Sequence, residues 1–294
     1  MYRTDLAAEQ CDLLEGRLPE GINRERLEFS NLIIERVEVS TNEAAKMLGK
    51  VKGLYVTITA PPFGSAQEMS GDEILKISEE IAFMLPENGL ILVAGIGNND
   101  ITPDAVGPVT ARRIIATRHI DHRSAHKNVL GKIRPTAVLA PGVLGQTGME
   151  TSEIISSIVK DISPCAVIVV DALAARNANR LGNTIQISNS GISPGSGIMN
   201  HRRELSEKTL GVPVVSIGVP TVVDATTLAS DLLDSREEDV EKRRNLFEAQ
   251  GQTMMITPRE IDIIVSHIGN TLALSINKAI QNDMTLEIIQ YLIN

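Results

Sequence analysis

The sequence predicts an α/β protein: a mainly parallel sheet wrapped by helices. Two observations carry this. Short β-rich runs alternate along the chain with segments of helical periodicity. Several of those runs are apolar throughout, as strands buried on both faces are. Alternation of this kind implies right-handed crossovers between parallel strands. At 294 residues and 43% hydrophobic composition, the chain is also long enough to bury a large core.

Taken in order, residues 54–59 (LYVTIT) read as a strand, and 72–85 (DEILKISEEIAFML) carry apolar residues at helical spacing. Residues 90–95 (LILVAG) form an apolar run stopped by glycine. Residues 104–118 read as a helix whose Gly107 and Pro108 sit in the first turns. Further strands are expected at 136–141, 165–171, 183–188 and 212–218, and a helix at 151–162 with Thr151 or Ser152 as its cap. A long helix is expected at 257–280, opened by Thr257 as cap with Pro258 at the first position, then a shorter one at 283–293. The charged span 234–252 reads as a solvated insertion or arm. Residues 3–9 suit an extended segment.

Composition removes several function classes. A formal charge of −9 with no dominant basic run argues against binding nucleic acid through its phosphates. No apolar stretch reaches the ~18 residues of a membrane span, and no charged-then-apolar start predicts export. Two cysteines make no disulfide framework, which favours a cytoplasmic setting. With 2% aromatic residues, a stacking platform for bases or sugars is not expected.

Four glycine-rich loops follow the strands, at 95–108, 141–151, 171–183 and 191–204, and ligands of open α/β sheets gather at such strand ends. Gly95-Ile96-Gly97 invites a dinucleotide reading, but Asp100 stands where the third glycine of the fingerprint belongs. No phosphate-loop Gly-Lys-Ser/Thr is present. The acids say more. Asp171 follows the run CAVIVV, and Asp104 lies shortly past LILVAG behind Pro103. On neighbouring strands, ~4.8 Å apart, both carboxylates overhang one crevice. Two such acids do not both ionise cheaply, so one holds a proton while the other acts as base, a division of labour suited to water attack on an amide. Taken singly, Asp104 also suits a helix cap and Asp171 a loop-amide acceptor.

His119, His122 and His126 raise a metal alternative, yet the Glu of H-E-x-x-H is missing. His267 reads as structural within the long C-terminal helix. No G-x-S-x-G follows a strand, and Cys165 opens an apolar strand where a thiolate is disfavoured.

The motifs RTDLAAE, GIGNNDITPDAVGP, LAPGVLGQTGMETSEII, VVDALAAR, GISPGSG, GVPTVVDA and MMITPREID, in this order, resemble those of the germination proteases of endospore-forming bacteria. The resemblance implies a zymogen endopeptidase that degrades small acid-soluble spore proteins, without a cofactor, in the forespore and spore core. It further implies a homotetramer and an α/β three-layer sandwich similar to the hydrogenase-maturation proteases. The family's two key aspartates match Asp104 and Asp171, treated there as an atypical aspartic pair. The family's cleavage motif is matched by Thr4-Asp5-Leu6-Ala7-Ala8-Glu9, which implies self-cleavage between Asp5 and Leu6. The expected organisation is therefore a leader at 1–5 and one peptidase domain at 6–294. The leader and the stretch between VVDATTLASD and MMITPREID are both shorter than is usual in the family.

On this reading, backbone amides of Gly95, Gly97 and Asn98, or of Gly195 and Gly197, polarise the scissile carbonyl. Asn98 orients one carboxylate. His201, Arg202 or Arg203 meets the substrate's acid. A metal-dependent peptidase using Asp104, Asp171 and a histidine, and a non-enzymatic binder of spore proteins, stand as alternatives.

Overall fold

The computed structural model describes residues 4–14, 18–65, 69–120, 133–193, 203–232 and 254–294. The charged span 234–252, His122, His126, Gly195, Gly197, His201 and Arg202 lie outside the described residues.

Among the described residues, nine strands form one sheet: β1 (Ile22–Phe29), β2 (Leu32–Val39), β3 (Gly53–Thr59), β4 (Ile91–Gly95), β5 (Thr136–Leu139), β6 (Ala166–Ala175), β7 (Thr184–Ser188), β8 (Val214–Asp224) and β9 (Met255–Ile256). The order is β1-β2-β3-β7-β8-β6-β4-β5, with β9 pairing the end of β8. Strands β5, β4, β6 and β8 run parallel, as expected. Every other pairing is antiparallel, so the sheet is mixed rather than mainly parallel. The local cause is plain at β1–β2. Ser30, at φ 54, and Asn31 make a tight turn between them, and a turn that short joins only antiparallel strands.

Helices cover both faces, giving three layers. On one face lie α3 (Gly71–Phe83), α4 (Val106–Ala111) and α9 (Ile261–Ile280). Their Ile77, Ile81, Val106, Ile268 and Leu272 pack on Ile58, Val93, Ile168, Val170 and Ile217 of the sheet. On the other, Ile155 and Val159 of α6 (Thr151–Ile162) pack on Leu92, Ala94, Val167 and Val169. Beside them α1 (Ala7–Asp12) and α2 (Asn42–Leu48) close over β2 and β3, burying Ala7, Cys11, Ala44 and Leu48 against Val37 and Tyr55. Short helices α5 (Leu144–Thr147), α7 (Glu207–Leu210), α8 (Ala225–Leu232) and α10 (Leu286–Ile293) complete the layers.

Three local expectations change. The helix expected at 104–118 stops at Ala111, because the amides of Arg113 and Ile114 reach back only three residues. The Ile115 and Thr117 amides then bond to Asn277 Oδ1 and the Thr136 carbonyl, which draws the chain onto α9 and β5. Thr257 does not cap the long helix: its hydroxyl donates to the Thr221 carbonyl at 2.8 Å beside β9, and α9 begins four residues later. Glu150 caps α6 in place of Thr151 or Ser152, with its N–H donating to the Glu153 carboxylate. No described helix is long and apolar enough to cross a membrane.

Candidate active site

Strands β4 and β6 are parallel neighbours, with Gly95 opposite Val170. Asp171 is the next residue of β6. It is 5% exposed, stands in register with Gly218 of β8, and its Oδ1 accepts the Ala172 N–H at 2.9 Å. The strand runs on to Ala175, so the loop expected from 171 starts later.

Asp104 ends the 3-10 turn Thr102–Asp104, which lies against β6 and β8. Its Oδ2 accepts the Asn98 N–H at 2.8 Å. Two glycines let this turn sit close to the strand ends. Gly97 has φ +123, and a Cβ there would lie 2.1 Å from the Asp104 carbonyl oxygen. A Cβ at Gly107 would lie 2.2 Å from the Ile96 oxygen and 2.5 Å from that of Val170. Side chains are excluded at both positions. Asp171 thus lies within β6, one residue past its last pairing with β4, and Asp104 lies on the turn beyond β4 that packs against β6 and β8.

The supporting residues behave differently from expectation. Gly95 belongs to the β4–β6 ladder, and the Ile96 N–H donates to the Val170 carbonyl at 2.9 Å. The Asn98 N–H is committed to Asp104. The Ile96 and Asn98 amides hold the site's backbone together and are not turned toward a substrate carbonyl. Asn98 orients Asp104 through its backbone, while its side-chain oxygen accepts from Asp100 N–H and Gln146 Nε2. Arg203 is exposed. His267 Nδ1 bonds the Phe63 carbonyl at 2.7 Å, a structural role. Among the described residues, no three His, Cys, Asp or Glu side chains converge as metal ligands do.

The N-terminal segment is laid against the end of β6. Asp5 N–H donates to the Ala174 carbonyl at 3.0 Å, and Ala174 N–H donates to Asp5 Oδ2 at 2.9 Å. Leu6 is fully buried against Leu173 and Ala175, with Leu181 and Ile192 alongside. Extended backbone ends there: helix α1 starts at Ala7. Glu9 accepts the N–H groups of Arg176 and Asn177, each at 2.9 Å, and the Thr4 hydroxyl closes back onto its Oε2.

The Asp5 carbonyl, which belongs to the Asp5–Leu6 peptide bond, carries two side-chain donors. Lys50 Nζ donates at 2.7 Å and Gln186 Nε2 at 2.9 Å. The other end of the Gln186 amide accepts the Ala7 N–H at 2.7 Å, so one side chain spans the bond from both sides. Lys50 is half-buried, with its ammonium turned inward. Burial pulls its pKa below the ordinary value, against the opposing pull of the Asp5 and Glu9 carboxylates. A cavity of about 240 Å³ opens beside these groups, lined by Asp5, Lys50, Leu173, Gln186, Ser216 and Gly218 among others. Sequence reasoning named neither Lys50 nor Gln186. Nothing in the spacing of either residue marks it, since the two meet only through the sheet.

The α/β sheet carries Asp171 within β6, Asp104 on the turn beyond β4, and the N-terminal segment against the end of β6, and ligands of such sheets gather at strand ends. A family model described as "Germination protease" matches residues 6–236. A germination protease of Clostridium perfringens is 37% identical over 325 aligned residues, covering 99% of both chains. One of a Geobacillus species is 36% identical over 352 residues, covering 96% of this chain and 94% of that one. The chain belongs to the germination protease family. Among solved structures, a [NiFe] hydrogenase maturation protease of Thermococcus kodakarensis superposes with TM-score 0.37 and 16% identity. It covers 67% of this chain and 98% of that one, a likeness too low to carry argument.

Proposed function

We propose that this protease is an endopeptidase made as a zymogen, with Asp104 and Asp171 as its proton-sharing pair. It cuts itself between Asp5 and Leu6 and then cuts small acid-soluble spore proteins at matching motifs in the spore core, as a homotetramer. One observation carries the reading. The Asp5–Leu6 bond lies across β6 only three residues from Asp171, and on the same face. Alternation along β6 sends Val167 and Val169 to the α6 side and Leu173 to Leu6, and Asp171 falls between them on that side. The peptide bond is thus held on the face of the strand that carries the carboxylate.

The chemistry follows from two carboxyl groups sharing one proton. The ionised one takes a proton from water as the water oxygen bonds to the Asp5 carbonyl carbon. Collapse breaks the C–N bond, and the other carboxyl gives its proton to the Leu6 amine. Specificity is supported by the segment's own contacts: Ala174 N–H reads the acid before the cut, and the Leu173–Ala175 pocket reads the apolar residue after it. The Arg176 and Asn177 amides read the acid three residues further on.

The test is intact-mass spectrometry of wild type, Asp104→Asn and Asp171→Asn, with a Thr-Glu-Ile-Ala-Ser-Glu peptide supplied in trans. Wild type is expected to lose Met1–Asp5 and to cut the peptide. Each variant should slow both reactions about a hundred- to ten-thousandfold while keeping its fold. Full activity in either variant overturns the pair, and chelator-sensitive cleavage moves the reading to a metal peptidase.

A further inference from the structure

The dyad accounts for the attacking water and the departing amine but not for the negative charge that develops on the carbonyl oxygen. Removing a single donor to such an oxygen commonly costs about a hundred- to a thousandfold in rate. Of the amides around Gly95–Asn98, those of Ile96 and Asn98 are engaged elsewhere in the fold. Something else faces that oxygen. We propose that Lys50 and Gln186 are the electrophilic donors of the self-cleavage reaction, together polarising the Asp5 carbonyl and stabilising its oxyanion. This rests on the self-cleavage reading above.

Geometry supports the assignment in three ways. Both donors lie within hydrogen-bond distance of the same oxygen, and they arrive from different elements: Lys50 from the turn after α2, Gln186 from β7. Gln186 cannot rotate away cheaply, because its oxygen is held by the Ala7 N–H on the other side of the bond to be cut. It is 8% exposed, so its amide works in a site where a hydrogen bond counts for more than in water. Lys50 holds the nearer position, and its Nζ also lies 3.5 Å from the Thr4 carbonyl, so the cation is centred on the residues before the cut. Lysine here supplies what one proton-sharing pair cannot: a full positive charge beside the oxygen as the carbon becomes tetrahedral. No electron is transferred, and when the C–N bond breaks the same two groups face the new Asp5 carboxylate.

The test uses the full chain with Lys50→Met, Lys50→Arg and Gln186→Leu. Self-cleavage is followed as first-order loss of Met1–Asp5, with thermal unfolding to confirm the fold. Wild type should cut. Lys50→Met and Gln186→Leu should each slow the step about a hundred- to a thousandfold, while Lys50→Arg, which keeps charge and donors, should recover much of the rate. A second readout needs no cleavage. In the Asp104→Asn background, a 13C label at the Asp5 carbonyl, introduced by ligating a synthetic N-terminal segment at Cys11, reports polarisation directly. Loss of either donor should raise its infrared stretching frequency.

Wild-type cleavage with unchanged rates in both variants overturns the donor role alone. Slow cleavage with an unmoved carbonyl band also overturns it, because the residues then act only on the fold. A wild type that neither loses Met1–Asp5 nor cuts the peptide in trans overturns the self-cleavage reading, and the donor role with it.

Discussion

At the scale of single residues, the candidate site depends on where side chains are forbidden as much as on where they are present. Gly97 combines φ +123 with a space in which a Cβ would sit 2.1 Å from the Asp104 carbonyl oxygen. Alanine there must push the Asp104 turn off the end of β4, so Gly97→Ala should destabilise the fold by about 1–3 kcal/mol. Because the displaced group is a proposed catalytic acid, peptide cleavage should fall further than the folded fraction does. Urea unfolding and cleavage rate on the same samples check this, and a loss confined to stability would detach Gly97 from catalysis. The two proposed acids are legible as candidates because each follows an apolar run, although β6 continues past Asp171 to Ala175. The carbonyl donors were not legible. Lys50 and Gln186 are far apart in sequence, and neither sits in a motif.

At the scale of elements, α3 shows how a helix end ties the sheet's hairpin to the main core. Ser70 Oγ accepts the Glu73 N–H at 3.3 Å, and Glu73 Oε2 accepts the Ser70 N–H at 2.9 Å, a reciprocal cap. Glu73 also takes donors from the β1–β2 turn, the Ser30 hydroxyl and the Asn31 backbone and side chain. Its desolvation alone would raise the carboxyl pKa. The Ser70 N–H, then the Asn31 and Ser30 donors, outweigh it and hold the pKa below its ordinary 4.5. The sign follows: a depressed carboxylate adds stability that is present above its unfolded value and lost as pH falls through the folded one. Glu73→Gln should therefore lower stability at neutral pH by about 1–3 kcal/mol and flatten the pH dependence below 4.5. Ser70→Ala, which removes half the cap, should cost about 1 kcal/mol at any pH. Unfolding curves at neutral and acid pH distinguish the two. The hairpin is not legible in the sequence, because β2 is buried on both faces, Leu32 and Ile34 on one and Val37 and Val39 on the other, with Glu35, Arg36 and Glu38 interrupting any alternation. At 104–118 the apolar spacing of a helix continues past Ala111, but Asn277 and Thr136 capture the backbone.

At the scale of the molecule, the sheet separates two cores, one under α3, α4 and α9 and one under α6. Strands β4, β6 and β8 contribute alternate residues to both, so neither core is complete without the strands of the other. Ile268→Ala on α9 and Ile155→Ala on α6, both at fully buried positions, should each cost about 2–5 kcal/mol and shift one common unfolding transition. Two separable transitions in either variant would show the faces to be independent. The parallel half of this sheet was predictable from apolar runs between helices; the antiparallel half depends on pairings between strands distant in sequence, which no local pattern records. The same distance bears on the order of events during synthesis. Residues 4–9 are made well before their partners Ala174, Arg176, Asn177 and Gln186, up to 181 positions later. That early segment is therefore among the last to be seated, since closing so long a loop precedes any reward from its contacts. A nascent or truncated chain ending before β7 lacks the amide that spans the Asp5–Leu6 bond. If the proposed cut needs that amide, the bond becomes competent only after β7 has been made and paired, late in the chain's folding.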